Sequence, residues 1–229
     1  MRNLKKIVCF IILIMCLFLL TGCSENKTEE ELLQEKILSE LDFWENSTIS
    51  ILEKYLEGDY SDNGNISWQA ISDDFKEISN NSSIVILDLT SKQIDNNKIL
   101  ELEGRINDVN LAIESNNEIN FIQSLSNLYK LIPDYLGEIY SSDNYIVLEK
   151  KFKSNLIESL YYSLIEDYDS SLLYLEEAEN IYQNLFNNTE FLKENSYKVN
   201  RVYIAIQEMK LAVQNQQKEN VILKYINTN

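Results

Sequence analysis

The sequence predicts an all-α protein, built as an antiparallel multi-helix bundle or as stacked helical hairpins. Three observations lead there. Apolar residues recur at three and four spacing through most of the chain after residue 28, as in helices with one buried stripe. The chain has one proline and five glycines, few of the residues that punctuate turn-rich sheets. The polar breaks between apolar runs are short, so successive helices should fold back on one another.

The first helix should open at Thr28, which makes a capping box with Glu31. Its stripe takes in Leu32, Leu33, Ile37, Leu41, Trp44, Thr48, Ile51, Leu52 and Tyr55, and Gly58 is its natural stop. A second helix is expected from Ser67 to about Ser79, with Trp68, Ile71, Phe75 and Ile78 inward and Asp73, Asp74 and Glu77 outward. Residues 84–89, IVILDL, crowd β-branched side chains together and are the one place where a strand is credible. No partner strand is evident to satisfy its backbone, so a buried helical turn or linker is the expectation.

Asp95 should cap a helix that faces inward through Ile99, Leu102, Ile106, Val109 and Ile113. After a polar break at 114–117, the stripe of Ile119, Ile122, Leu125, Leu128, Tyr129 and Ile132 meets Pro133. A proline there should kink or end the helix, although the pattern resumes at Tyr135. Residues 147–165 and 168–186 form a pair around Glu166 and Asp167, and residues 191–213 and 219–226 supply the last two helices.

Two internal patterns stand out. LAIESNNEINFI at 111–122 aligns without gaps to LAVQNQQKENVI at 211–222, which suggests either duplicated hairpins or a helix, corner, helix motif recurring in a narrow vocabulary. Ser159, Tyr162, Ser171, Leu175 and Ala178 sit at spacings like those of a tetratricopeptide repeat, without its usual Gly and terminal Pro. In such a repeat small residues let paired helices approach while larger ones fill the gap.

The chain begins MRNLKKIVCFIILIMCLFLLTGC. Arg2, Lys5 and Lys6 precede an apolar stretch of 14 residues at 7–20, too short for a comfortable membrane span, and Leu20-Thr21-Gly22 leads to Cys23. This resembles the signal peptide of bacterial lipoproteins, with Thr21 where the family usually has Ser or Ala. The resemblance implies cleavage before Cys23 and a diacylglycerol on its thiol. Residues 1–22 would then be the signal, 23–28 a lipidated tether, and 29–229 a single helical domain on the extracytoplasmic face of the cell membrane. Acyl chains such as palmitate contribute about 0.8 kcal/mol per buried methylene, so two of them anchor stably.

Composition narrows the function. Three of the 20 basic residues leave with the signal and all 37 acidic ones stay, giving a mature formal charge of -20. Such a surface repels nucleic acid and anionic headgroups, which leaves lipid on Cys23 as the hold on the membrane. Cys9 and Cys16 would be lost too, so the mature domain has no disulfide to staple it. The chain has no histidine, which removes His-based triads, HExxH zinc sites and histidine metal centres. No G-x-G-x-x-G, G-x-x-x-x-G-K, G-x-S-x-G or C-x-x-C occurs. The expectation is therefore no enzyme, with no catalytic, cofactor or metal residue assigned.

Three clusters remain as candidate sites. Residues 59–67, DYSDNGNIS, resemble the start of an EF-hand calcium loop: Asp59, Ser61 and Asn63 stand at alternate positions, with Gly64 at the turn. Ala70 occupies the place of the bidentate Glu, however, so an ordinary interhelical loop with Ser67 as a helix cap is expected. Glu158, Glu166, Asp167, Asp169, Glu176, Glu177 and Glu179 form an acidic group. Carboxylates like these could hold a divalent ion, but the last three lie opposite Leu172, Leu175, Ala178 and Tyr182, as a solvated face does. Tyrosines gather at 161, 162, 168, 174 and 182, with Tyr162 expected in the core and Tyr161 at a groove edge. The leading expectation is a non-enzymatic, lipid-anchored extracytoplasmic protein that binds a protein, peptide, cell-wall glycan or small solute. The alternatives are a divalent-metal-binding or carboxylate-dependent enzyme, and a structural scaffold at the membrane surface.

Overall fold

A computed structural model describes residues 27–62 and 65–228. The signal-like segment, Cys23 and the start of the tether lie outside the described residues. Among the described residues there are nine α-helices and one short β-ribbon: α1 (Glu29–Glu57), β1 (Ser61–Asp62), β2 (Asn65–Ile66), α2 (Trp68–Ser91), α3 (Asn96–Glu114), α4 (Glu118–Ile139), α5 (Tyr145–Leu164), α6 (Tyr168–Leu185), α7 (Thr189–Asn195), α8 (Val199–Gln214) and α9 (Lys218–Ile226). The all-α expectation is met. No helix among the described residues is long and apolar enough to cross a membrane.

The chain divides into two units, residues 1–35 and 36–229. In the first, the opening of α1 is fixed by the expected capping box: the Thr28 N–H donates to the Glu31 carboxylate at 2.7 Å, and the Glu31 N–H donates to the Thr28 hydroxyl at 3.2 Å. Lys27 also pairs with Glu35.

In the second unit each helix from α2 to α5 packs on the next; α8 packs on α9 and α6, and α9 on α5. The helices turn back on one another through a repeated corner. At α3–α4, Asn116 takes a left-handed φ of 53°, its N–H donates to the Ile113 carbonyl, and the Asn117 N–H donates to the Ala112 carbonyl at 3.1 Å. This is a Schellman closure, which satisfies carbonyls that the helix end leaves open. Its last residue is also the cap of the next helix, since the Asn117 side chain accepts from the Asn120 N–H at 2.9 Å.

The same closure recurs at α5–α6 with Glu166 (φ 64°) and Asp167, and at α8–α9 with Gln216 (φ 55°) and Gln217. The α2–α3 corner has one more residue, Ile94, between left-handed Gln93 and the cap Asp95. The echoed segments 111–122 and 211–222 thus build one corner in one register. Residues 161–172 build it as well with little identity, so backbone geometry is enough to account for the echo.

The tetratricopeptide-like spacing corresponds to a real close approach. Ser159 and Ser171 are fully buried, their hydroxyls lie 2.9 Å apart, and the Ser171 hydroxyl also bonds the Ser159 carbonyl at 2.9 Å. Leu175 and Ala178 fill the seam beyond them. Ser159 stands three residues before Tyr162, where that repeat has its glycine, and at the corner Glu166 takes the left-handed φ.

Several expectations need correction. Residues 84–89 are helical, in line with the helical-turn reading, but they belong to α2 itself, which runs past its expected end near Ser79 to Ser91 because Val85 and Leu89 continue the buried stripe of Ile71, Phe75 and Ile78. The strands lie instead within the loop at 59–67, where Ser61 pairs with Ile66 and Asp62 with Asn65 in an antiparallel ribbon. Pro133 does not end α4, which continues to Ile139 with Tyr135 and Leu136 buried after it. The run at 191–213 is broken between Asn195 and Val199, giving the short α7 and then α8.

Candidate functional site

Tyr182 on α6 is the centre of the most site-like region. Its ring packs on Phe152 of α5 at 4.8 Å between centroids and edge-on to Phe191 of α7 at 6.2 Å. Its hydroxyl donates to the carbonyl of Val199, the first residue of α8, at 3.1 Å. One phenol therefore fixes α5, α6, α7 and α8 around a common floor. Burial, and then the Glu149 carboxylate, push its pKa above the usual phenol value.

Above that floor is a half-open cleft of about 320 Å³. Its α1 wall carries Asn46, Ile49 and Glu53, and its α5 wall carries Glu149, Phe152 and Lys153. Phe191 and Asn195 of α7 close another side, with Lys198 and Val202 beside them and Thr228 at the end of the described chain. The volume is at the small end of the range for small-molecule sites.

Behind the cleft is a buried charge network. Glu45 of α1 is 1% exposed and pairs with both Lys150 and Lys153, the latter at 2.6 Å. Lys150 is itself buried and also reaches Asp42 at 2.7 Å, while Lys153 lies 3.3 Å from Glu149. Burial alone would raise the Glu45 carboxyl, but the Lys153 and Lys150 ammonium groups outweigh it and hold the pKa below the usual value. Burial would likewise lower Lys150, yet Glu45 and Asp42 raise it. Both groups are thus ionised, as a buried pair with good geometry requires. The Tyr129 hydroxyl lies fully buried beside Glu45 without a full hydrogen bond, and burial with that carboxylate raises its pKa.

The sequence-flagged residues are mostly elsewhere. Glu166, Asp167, Asp169, Glu176 and Glu177 are exposed, in agreement with a solvated face. Glu158 departs from that pattern: it is buried, pairs with Lys130 at 2.6 Å and accepts from the Ser126 hydroxyl at 2.8 Å. Glu179 is held by Lys210 and Gln207, both at 2.6 Å. Tyr161 and Tyr162 are reversed from expectation. Tyr161 is buried, whereas Tyr162 is half-buried and stacks on Tyr174 at 5.3 Å with 12° between the planes.

Around the calcium-like loop, Ser67 does cap α2, accepting from the Ala70 N–H at 3.4 Å. Asp74, in the first turns of α2, is taken by Lys54 at 2.9 Å and the Tyr60 hydroxyl at 2.6 Å. Among the described residues no group of three or more carboxylates or cysteines is placed to hold a metal ion.

Sequence reasoning missed Glu45 and Lys150, although each interrupts an apolar stripe with a charge. Glu45 follows Leu41 by four positions and precedes Thr48 by three; Lys150 follows Val147 by three and precedes Ser154 by four. Opposite charges on two inward stripes were the available signal. The cleft had no such signal, because its walls come from five helices and a chain end. The chain matches no protein-family model, no curated protein and no solved structure.

Proposed function

We propose that this protein is a lipid-anchored binding module on the extracytoplasmic face of the cell membrane, and that the cleft over Tyr182 is where it takes its ligand. The observation that carries the reading is the cleft itself, where an aromatic floor from three helices meets a rim of amide and charged side chains. Apolar walls with a few polar groups are what a small-ligand site needs. The lipid on Cys23 and removal of residues 1–22 rest on the L-T-G-C sequence and its basic, apolar approach. The role is binding and not catalysis: the cleft's carboxylates, Glu53 and Glu149, are not joined there by any histidine, cysteine or nucleophile-base pair.

Two experiments test the two halves. Metabolic labelling with an alkyne fatty acid should tag the wild-type chain and leave Cys23→Ser untagged; equal labelling of both removes the anchor. A thermal-shift panel of amino acids, short peptides and sugars on the full chain should give stabilising hits that Asn46→Trp abolishes, since Asn46 is an exposed rim residue whose enlargement fills the cleft. A panel with no N46W-sensitive hit removes the cleft as a binding site.

A further inference from the structure

We infer that the cleft selects a ligand bearing a carboxylate on an apolar body of about one residue, such as the free C-terminal residue of a peptide ending in phenylalanine or leucine. This rests on the binding reading above and adds the chemistry of what binds. Most basic side chains among the described residues are tied to carboxylates, as a strongly acidic chain makes easy. Lys151, Lys193, Lys198 and Arg201 form none of these ion pairs. Lys193, Lys198 and Arg201 fall close together across the α7–α8 elbow, and Lys198 lines the cleft.

Within the cleft Lys153 is already answered by Glu45 and Glu149, so a ligand gains little there. Lys198 meets the face of its neighbour Tyr197, with the ammonium 5.8 Å from the ring centroid, and makes no ion pair among the described residues. The 193–201 stretch sets three cations against Glu194, so at this elbow an otherwise strongly acidic chain can hold an anionic group through Lys198.

The floor sets the rest of the ligand. Phe152, Tyr182 and Phe191 offer ring faces and edges, and Val202 stands beside Lys198, so an apolar side chain can lie against them while its carboxylate meets the ammonium. Glu53 on the α1 wall disfavours a second negative charge on the ligand, whereas Asn46 on the same wall can meet a peptide amide. A volume of about 320 Å³ holds one such residue and excludes a large cofactor.

The same chemistry can come from a peptide terminus or from a free acid, and competition separates them. The full chain in neutral-lipid nanodiscs is titrated into a fluorescein-labelled Gly-Ser-Gly-Ser-Phe peptide and followed by polarisation. The free-acid peptide should bind about tenfold more tightly than its C-terminal amide, with the preference shrinking as salt rises. N-acetylphenylalanine that competes as well as unlabelled peptide marks a free acid as sufficient; weaker competition assigns the upstream peptide a part. Lys198→Gln should erase most of the acid preference and Lys198→Arg should keep it, while Lys151→Gln, which removes an equal charge away from the cleft, should leave it unchanged. Equal affinity for acid and amide overturns the inference, as does an equal loss in K151Q and K198Q. If N46W-sensitive hits occur only with neutral or cationic solutes, the cleft remains a binding site and only the carboxylate assignment falls.

Discussion

Replacing Glu45 by Gln removes one charge from the buried network and leaves its shape almost unchanged. In the wild type the Glu45 carboxylate faces two ammonium groups, Lys150 and Lys153. At a charge separation of about 4 Å and an effective dielectric near 20, each attraction is worth about 4 kcal/mol before desolvation is counted. The substitution recovers the cost of burying the carboxylate but strands Lys150, whose side chain is 10% exposed. Breaking a buried pair in this way costs about 3–5 kcal/mol. Lys150 keeps Asp42 and Lys153 keeps Glu149, so the low end, about 3 kcal/mol, is expected, or about 6–12 °C in melting temperature for a chain of this size.

Urea unfolding of the full chain in neutral detergent, followed by the fluorescence of buried Trp44, measures this directly. The folded Glu45 pKa is depressed, so its contribution is present above the usual carboxylate range and is lost as pH falls through the folded value. The gap between wild type and E45Q should be full above the usual carboxylate range and should narrow as pH falls through the depressed folded value. Glu45→Leu combined with Lys150→Met should regain most of the loss, because a well-packed apolar pair of similar volume avoids desolvation. A loss in E45Q below about 1 kcal/mol, or a double variant no better than the single one, refutes the reasoning.

Three further outcomes follow from the packing. Glu166→Gly and Gln216→Gly should each stabilise the fold by about 0.5–1 kcal/mol in the same urea assay, since glycine takes left-handed φ without strain; Asn116→Gly should gain less, because asparagine already tolerates that region. Ser171→Leu should cost about 1–3 kcal/mol or more by forcing α5 and α6 apart, whereas Leu173→Ser, at a residue 64% exposed, should lie within about 0.5 kcal/mol of wild type. Tyr182→Phe should cost about 1 kcal/mol through the lost bond to the Val199 carbonyl, and hydrogen exchange should show faster opening at the start of α8 than elsewhere in that helix.

Sequence periodicity carries the helices well where one stripe and one cap agree. Asp95 caps where expected, and Ile99, Leu102, Ile106, Val109 and Ile113 all face inward. At 84–89 it left a helical turn and a linker both open, because local β propensity competed with a helical stripe already running from Ile71; tertiary burial of Val85 and Leu89 decides for the helix. Tyr161 and Tyr162 were reversed because adjacent residues lie only about 100° apart on a helix, and α5 is buried over much of its circumference. The cleft was illegible for a different reason: Glu53, Lys153, Tyr182 and Lys198 are far apart in sequence, and only the packing of α1, α5, α6 and α8 brings them together.

The partners of Glu45 also set an order of events. Lys150 lies 108 residues after Asp42 and Lys153 lies 108 residues after Glu45, whereas the corners at 116, 166 and 216 close between immediate neighbours. In a chain that emerges N-terminus first, the hairpins can form as soon as they appear, in the manner of fast-folding local topologies. The segment around Glu45 must wait for α5. Until then Glu45 is a solvated carboxylate on the stripe of Leu41, Trp44, Thr48 and Leu52, where it breaks up an apolar face of the kind that invites wrong pairing. One acidic side chain would serve first as a solubiliser and afterwards as a clasp.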